Sequence, residues 1–304
     1  MIKPTLVVAI GGNALLQRGE IMSCENQKNS IEVTATALAK LHEKYRLVLV
    51  HGNGPQVGLL ALQNLAYQDC CPPYPFDVLG AETQGMIGYL LQQKLKQQLP
   101  DMNIETILTQ VEVDKNDPAI KEPSKFIGPV YEKEEATQLA EANNWVIKPD
   151  GDKWRRVVPS PMPKDIIEID AIRSLLEKDH LVICGGGGGV PVIKDKKGYY
   201  TGFEAVIDKD MTAALIAQEL NADDLLILTA GENVCIDWGK PTQEKLYDET
   251  VATMRSYQFA AGSMGPKVDA CCLFAERSKG IGHIGDLYKA LEIMNGSSGT
   301  HIRM

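Results

Sequence analysis

Three glycine turns and three lysines carry most of the chemistry that this 304-residue sequence declares. Gly11, Gly12 and Asn13 stand in AIGGNALL directly behind the apolar run Leu6–Ile10. Gly52, Asn53 and Gly54 stand in VHGNGPQVG behind a second run, Leu47–His51. The third turn is five consecutive glycines in VICGGGGGVP, with Gly186 and Gly187 as its candidate ligand positions. Five residues without side chains lose much backbone freedom on folding, so the run implies a steep turn, a close backbone approach or a ligand. Backbone N–H groups at strand ends and helix starts suit phosphate, although each turn taken singly reads equally as a tight turn.

The cations sit in stiffened contexts. Lys209 lies between Asp208 and Asp210 in EAVIDKDMTAALIA. Those charges are either the solvated start of a helix or a cation with a metal-binding oxygen beside a phosphate chain. Lys267 lies in AAGSMGPKVDAC and Lys125 in EPSKFIGP. For these two, an ordinary solvated lysine is an equal reading.

Absent motifs narrow the chemistry. No G-x-x-x-x-G-K-[ST] loop, no dinucleotide fingerprint after the first strand and no protein-kinase signature is present. There is no G-x-S-x-G, no H-E-x-x-H and no cluster of cysteine ligands. His51, the one histidine within a glycine motif, ends a strand and reads as structural. Phosphoryl transfer asks chiefly for positioning and positive charge. An acceptor that is already an anion needs no base; its difficulty is repulsion from ATP. Two unit charges about 4 Å apart repel by roughly 4 kcal/mol at an effective dielectric near 20, so several lysines are needed.

These groups have to be held by a framework, and the sequence supplies one. Short apolar runs followed by glycines and then by helical periodicity are the grammar of a parallel sheet in an α/β fold. Strands are expected at Leu6–Ile10, Leu47–His51, Ile104–Val111, Leu181–Cys184 and Leu225–Thr229, with further candidates at Ile281–Ile284 and Thr300–Arg303. A helix with Ile31, Ala35, Leu38 and Leu41 on one face precedes the second strand, and Pro55 opens another. Residues 112–163 are rich in charge and proline yet contain Phe126, Ile127, Trp145 and Trp154, which suggests a small subdomain or lid inserted in one α/β body of residues 1–304.

Composition excludes other classes. A net charge of −9, from 31 basic against 40 acidic residues, repels a nucleic-acid backbone. No apolar stretch approaches the roughly 20 residues of a membrane span, and the amino terminus does not read as a signal peptide. Seven cysteines with no Cys-x-x-Cys pair point to a reducing cytoplasm.

The order and spacing of VAIGGNAL, VHGNGPQVG, AETQGMIGY, TQVEVDKNDPA, EPSKFIGPV, RRVVPSP, CGGGGGVPV, EAVIDKD, NADDLLILT and GSMGPKV resemble the carbamate kinases, within the amino acid kinase fold family. The resemblance runs over nearly the whole chain. It implies reversible transfer between ATP plus carbamate and ADP plus carbamoyl phosphate, with Mg²⁺, in a cytoplasmic homodimer serving arginine metabolism. It implies a three-layer α/β/α sandwich with a mainly parallel central sheet and a protruding subdomain. It maps Gly11, Gly12, Asn13, Gly52, Asn53 and Gly54 to the phosphoryl group and acceptor, and Gly186 and Gly187 to the nucleotide. Lys125 becomes the lysine reaching in from the subdomain, Lys209 the central one and Lys267 a later phosphate contact. Asp210 becomes the organiser of Lys209 and of metal, with Asp208 a weaker candidate. Gln258 stands where the family often has histidine, and Lys153 lies in a stretch that departs from the family pattern. The alternatives are a kinase of another small carboxylate on the same fold and a nucleotide- or carbamoyl phosphate-binding sensor without turnover.

Overall fold

A computed structural model describes residues 3–17, 19–260 and 262–304, with Asn13 described in its backbone alone. The central sheet has eight strands: β1 (Thr5–Ile10), β2 (Arg46–His51), β3 (Ile104–Thr106), β4 (Leu181–Ile183), β5 (Asp224–Thr229), β6 (Asp248–Thr250), β7 (Ile281–Asp286) and β8 (Thr300–Arg303). Their order is β6-β8-β7-β5-β1-β2-β4-β3. Every neighbouring pair is parallel except β7 with β8. β1 is buried along its whole length, as a central strand covered on both faces must be.

Alternation along the strands divides the core in two. Val7, Ala9, Val48 and Val50 pack with Ala213 and Ile216 of the helix Lys209–Glu219 and with Cys271 and Phe274 of the helix Gly265–Ser278. Leu6, Val8, Ile10, Leu47 and Leu49 face the other way, onto Ile31 and Leu38 of the helix Cys24–His42 and Ile87 and Leu91 of the helix Phe76–Gln98. Helices thus cover both faces, giving the expected α/β/α layering. The helix face Ile31, Ala35, Leu38 and Leu41 is buried, and Ser23 caps that helix by accepting from the Asn26 N–H.

The expected strand Ile104–Val111 is in fact two, Ile104–Thr106 in the central sheet and Gln110–Val113 in a second sheet with Pro163–Ile166, Val190–Lys194 and Tyr200–Gly202. Thr109 makes the transfer. Its N–H donates to Gln84 Oε1 at 2.9 Å, and its carbonyl accepts from Gln84 Nε2 at 3.0 Å and from the Val190 N–H at 2.8 Å. A long-range glutamine therefore satisfies the backbone where the chain leaves one sheet for another.

Within 112–163, the strands Lys125–Tyr131, Val146–Asp150 and Lys153–Val158 form a three-stranded antiparallel sheet, with the helix Lys133–Asn143 between the first two in sequence. Val57, Phe76 and Leu79 pack with Ile127, Val158 and Val206 to join this sheet to the body. Gly58 lies so close to Gly128 that a Cβ on it would stand 2.3 Å from the Gly128 Cα. Among the described residues, no helix is long and apolar enough to cross a membrane. All seven cysteines are free thiols.

Candidate active site

Because β4, β2, β1 and β5 are adjacent and parallel, the turns that follow β1, β2 and β4 all emerge at the same carboxyl edge of the sheet. That edge is where open α/β sheets place their ligands. A cleft of about 730 Å³ opens there, lined by Gly12, Gly52, Asn53, Gly54, Gly187 and Lys209 among others. Lys125 enters from the three-stranded sheet, joined by Lys148 and Arg155 of the same unit.

Two aspartates organise the lysines. Asp208 caps the helix Lys209–Glu219 by accepting from the Asp210 N–H at 2.9 Å, and its other oxygen pairs with Lys125 Nζ at 2.5 Å. Asp210, only 2% exposed, accepts Lys209 Nζ on one oxygen and Lys267 Nζ, at 3.1 Å, on the other. One buried carboxylate thus holds two ammonium groups in a fixed relation. Burial pushes Asp208 up, but Lys125, Lys209 and two hydrogen bonds outweigh it and hold the carboxyl well below its ordinary range. Burial lowers Lys209 despite Asp210, with Lys267 adding to the lowering. For Lys267 burial also lowers, but the charge and hydrogen bond of Asp210 prevail and the ammonium is favoured.

The glycines serve different ends. At Gly52 a Cβ would lie 3.4 Å from the Lys209 Cδ, so the bare position makes room for the lysine stem. Gly187 has φ +67°, and its missing Cβ would stand 2.2 Å from the Asn53 amide nitrogen. Gly186 packs instead on His51 and Gln84 and is absent from the cleft lining. The Gly11 N–H donates to the Leu228 carbonyl and the Gly52 N–H to the Ile10 carbonyl, so neither is available to an anion. Asn53 is buried, with its amide donating to Thr83 Oγ1 at 2.9 Å. The Asn13 side chain lies outside the described residues.

His51 is 1% exposed, with Nδ1 2.9 Å from the Gly52 carbonyl. Burial lowers its pKa from 6.5 to about 4, with the Gly52 hydrogen bond opposing and Lys209 assisting. The imidazole is neutral and structural. Since the folded pKa is depressed, the unfolded chain takes up the proton first as pH falls. The associated stability is intact above pH 6.5 and is lost between 6.5 and about 4. The loss amounts to about 3 kcal/mol. His51→Gln is expected to flatten the fall in unfolding free energy over that interval by this amount, measured by urea titration at pH 7.5, 5.5 and 4.5.

Sequence reasoning missed Lys148, Arg155, Thr83 and the weight of Asp208. Lys148 and Arg155 lie in a charged segment with no local pattern to single them out, and Thr83 acts through Asn53, thirty residues away.

Comparison with known proteins identifies the family. The sequence profile of the amino acid kinase family matches residues 4–286. The chain is 51% identical over 298 residues to the carbamate kinase of Haemophilus influenzae, covering 98% of this chain and 96% of that protein. It is 50% identical over 300 residues to the carbamate kinase of Escherichia coli K12, covering 99% of each. A structure of carbamate kinase from Giardia lamblia bound to AMP-PNP superposes with a TM-score of 0.90 at 39% identity, covering 99% of this chain and 98% of the other. The chain belongs to the amino acid kinase family, and within it to the carbamate kinases.

Proposed function

We infer that this protein is an ATP-dependent phosphotransferase that moves a phosphoryl group reversibly between ATP plus carbamate and ADP plus carbamoyl phosphate. The observation that carries the reading is the convergence of Lys209 and Lys267 on Asp210, with Lys125 on the adjoining Asp208, at a cleft edged by glycine turns. Relatives named carbamate kinase over the full chain support it.

In this reading a carbamate oxygen attacks the γ-phosphorus, a P–O bond forms, the bond to the bridging oxygen breaks and ADP leaves. No proton has to move, which suits a site whose one embedded histidine is buried and neutral. The ammonium groups offset the repulsion between two anions and the charge on the equatorial oxygens. Asp210 keeps two of them apart and aimed while remaining screened from solvent.

Among the described residues no three His, Cys, Asp or Glu side chains gather as a metal cluster, and both Asp210 oxygens are taken by lysines. We therefore place Mg²⁺ with the substrate, as MgATP or MgADP. On family resemblance we also propose a cytoplasmic homodimer, and a lid role for segment 112–163 within the single domain 1–304.

Coupled ATP formation from carbamoyl phosphate and ADP, with and without Mg²⁺, tests the reaction. Preferential phosphorylation of another small acid in the forward direction, or nucleotide binding without turnover, would overturn it. Lys125→Met is expected to lower kcat by about 10- to 100-fold, the loss of one ammonium at the cleft, and also to lower the thermal midpoint, because the largely buried Asp208 loses its ion-pair partner and keeps only the charge of Lys209 and the Asp210 N–H.

A further inference from the structure

A second cavity, of about 540 Å³, shares no lining residue with the cleft. Leu65, Tyr74 and Phe76 of the body form one side, Asn143, Trp145 and Arg156 the other, and Glu204 lies at the exposed rim. The Arg156 guanidinium carbon stands 4.5 Å from the centre of the Trp145 ring and 4.9 Å from that of Phe76. Such contacts engage the flat face of the guanidinium and orient it.

The edge of that group is the notable part. Among the described residues, the Arg156 side chain makes no ion pair and no hydrogen bond, whereas neighbouring Arg155 donates to the Gly128 carbonyl and to Asp150. Five N–H donors in a fixed fork are therefore left for a planar acceptor. Burial lowers Arg156 to about 10, with the Glu204 charge opposing, and burial raises Glu204, with Arg156 opposing. The two charges sense each other without pairing.

We propose that this cavity binds a small zwitterion of the amino acid class, its carboxylate held bidentately by Arg156 and its ammonium by Glu204. A plain anion would satisfy Arg156 but place a second negative charge opposite Glu204; a zwitterion meets both. Tyr74 and Leu65 supply an apolar wall for the side chain, and the volume lies in the range of small-ligand sites.

The test uses the intact, nucleotide-free protein in calorimetric titrations with each of the twenty common L-amino acids, and with acetate and methylammonium as single-charge probes, at constant ionic strength. At least one amino acid should bind saturably, with both single-charge probes at least ten-fold weaker. Arg156→Lys and Glu204→Gln should each weaken that binding at least ten-fold. Glu204 sits at the rim, so Glu204→Gln should retain the native thermal midpoint and ADP affinity. Saturable binding by no amino acid, equal binding by acetate, or displacement of the amino acid by ADP or carbamoyl phosphate would each overturn the proposal. No arm depends on turnover, so the outcome is separate from that of the reaction proposed above.

Discussion

Lys209→Met is expected to lower kcat/KM for ATP formation by about 10³-fold while shifting the thermal midpoint by only a few degrees. An ammonium about 4 Å from developing charge is worth roughly 4 kcal/mol at an effective dielectric near 20, which corresponds to about 10³ in rate. Mutational losses of single preorganised donors in other enzymes, about 10²–10³, are of that order. Stability responds less because two effects offset the loss of the Lys209–Asp210 pair. The substitution removes a buried cation that is disfavoured by its own desolvation, and Asp210 keeps Lys267 at 3.1 Å as a partner. Methionine also fills the volume of the stem beside Gly52. Single-turnover measurement of ATP formation, alongside ADP binding by calorimetry, separates the chemical step from assembly of the complex. Native turnover in a correctly folded variant would remove Lys209 from the reacting centre.

Gly188→Ala should destabilise the fold by about 4 kcal/mol, a large part of the 5–15 kcal/mol that holds an ordinary domain together. Two costs add. The backbone at Gly188 has φ +93°, which an L-residue adopts with a penalty of roughly 1–3 kcal/mol. The new methyl would also stand 2.3 Å from the Ile207 carbonyl oxygen, a backbone atom that cannot rotate away, and such overpacking costs about 1–3 kcal/mol. Since Ile207 immediately precedes Asp208, relief of the clash would shift the start of the helix that carries Lys209. Activity should therefore fall along with stability. Gly85→Ala is the matched control: Gly85 lies in the helix Phe76–Gln98 with nothing within 4 Å of an added Cβ. It should stabilise by about 0.5–1 kcal/mol. Urea unfolding of both variants checks the pair, and equal effects would mean that the glycine run is not held by packing.

These two residues show how the sequence and the fold divide the explanation. Lys209, flanked by two carboxylates at the head of an apolar periodic segment, could be identified as a candidate from spacing alone. So could the glycine turns behind β1, β2 and β4, because glycine followed by helical periodicity is a local signal. The reason for each glycine was not local. Gly186 packs on His51, Gly187 on Asn53, Gly188 on Ile207 and Gly189 on Val111. The run is explained by neighbours that close in on it from other elements, and only one of its two candidate positions, Gly187, lines the cleft.

What the sequence by itself determined was most strands of the central sheet, the α/β class and an inventory of candidate phosphate-binding groups, since periodicity, turn chemistry and charge are properties of short segments. Only the tertiary structure decided the strand order that brings the three turns to one edge, the break at Thr109 between two sheets, and the use of Asp210 as a shared partner for its neighbour Lys209 and for Lys267, fifty-seven residues further along. Those features depend on contacts between distant segments. A single chain leaves no local trace of them, because hydrogen-bond satisfaction, burial and ion pairing are settled only when the segments meet.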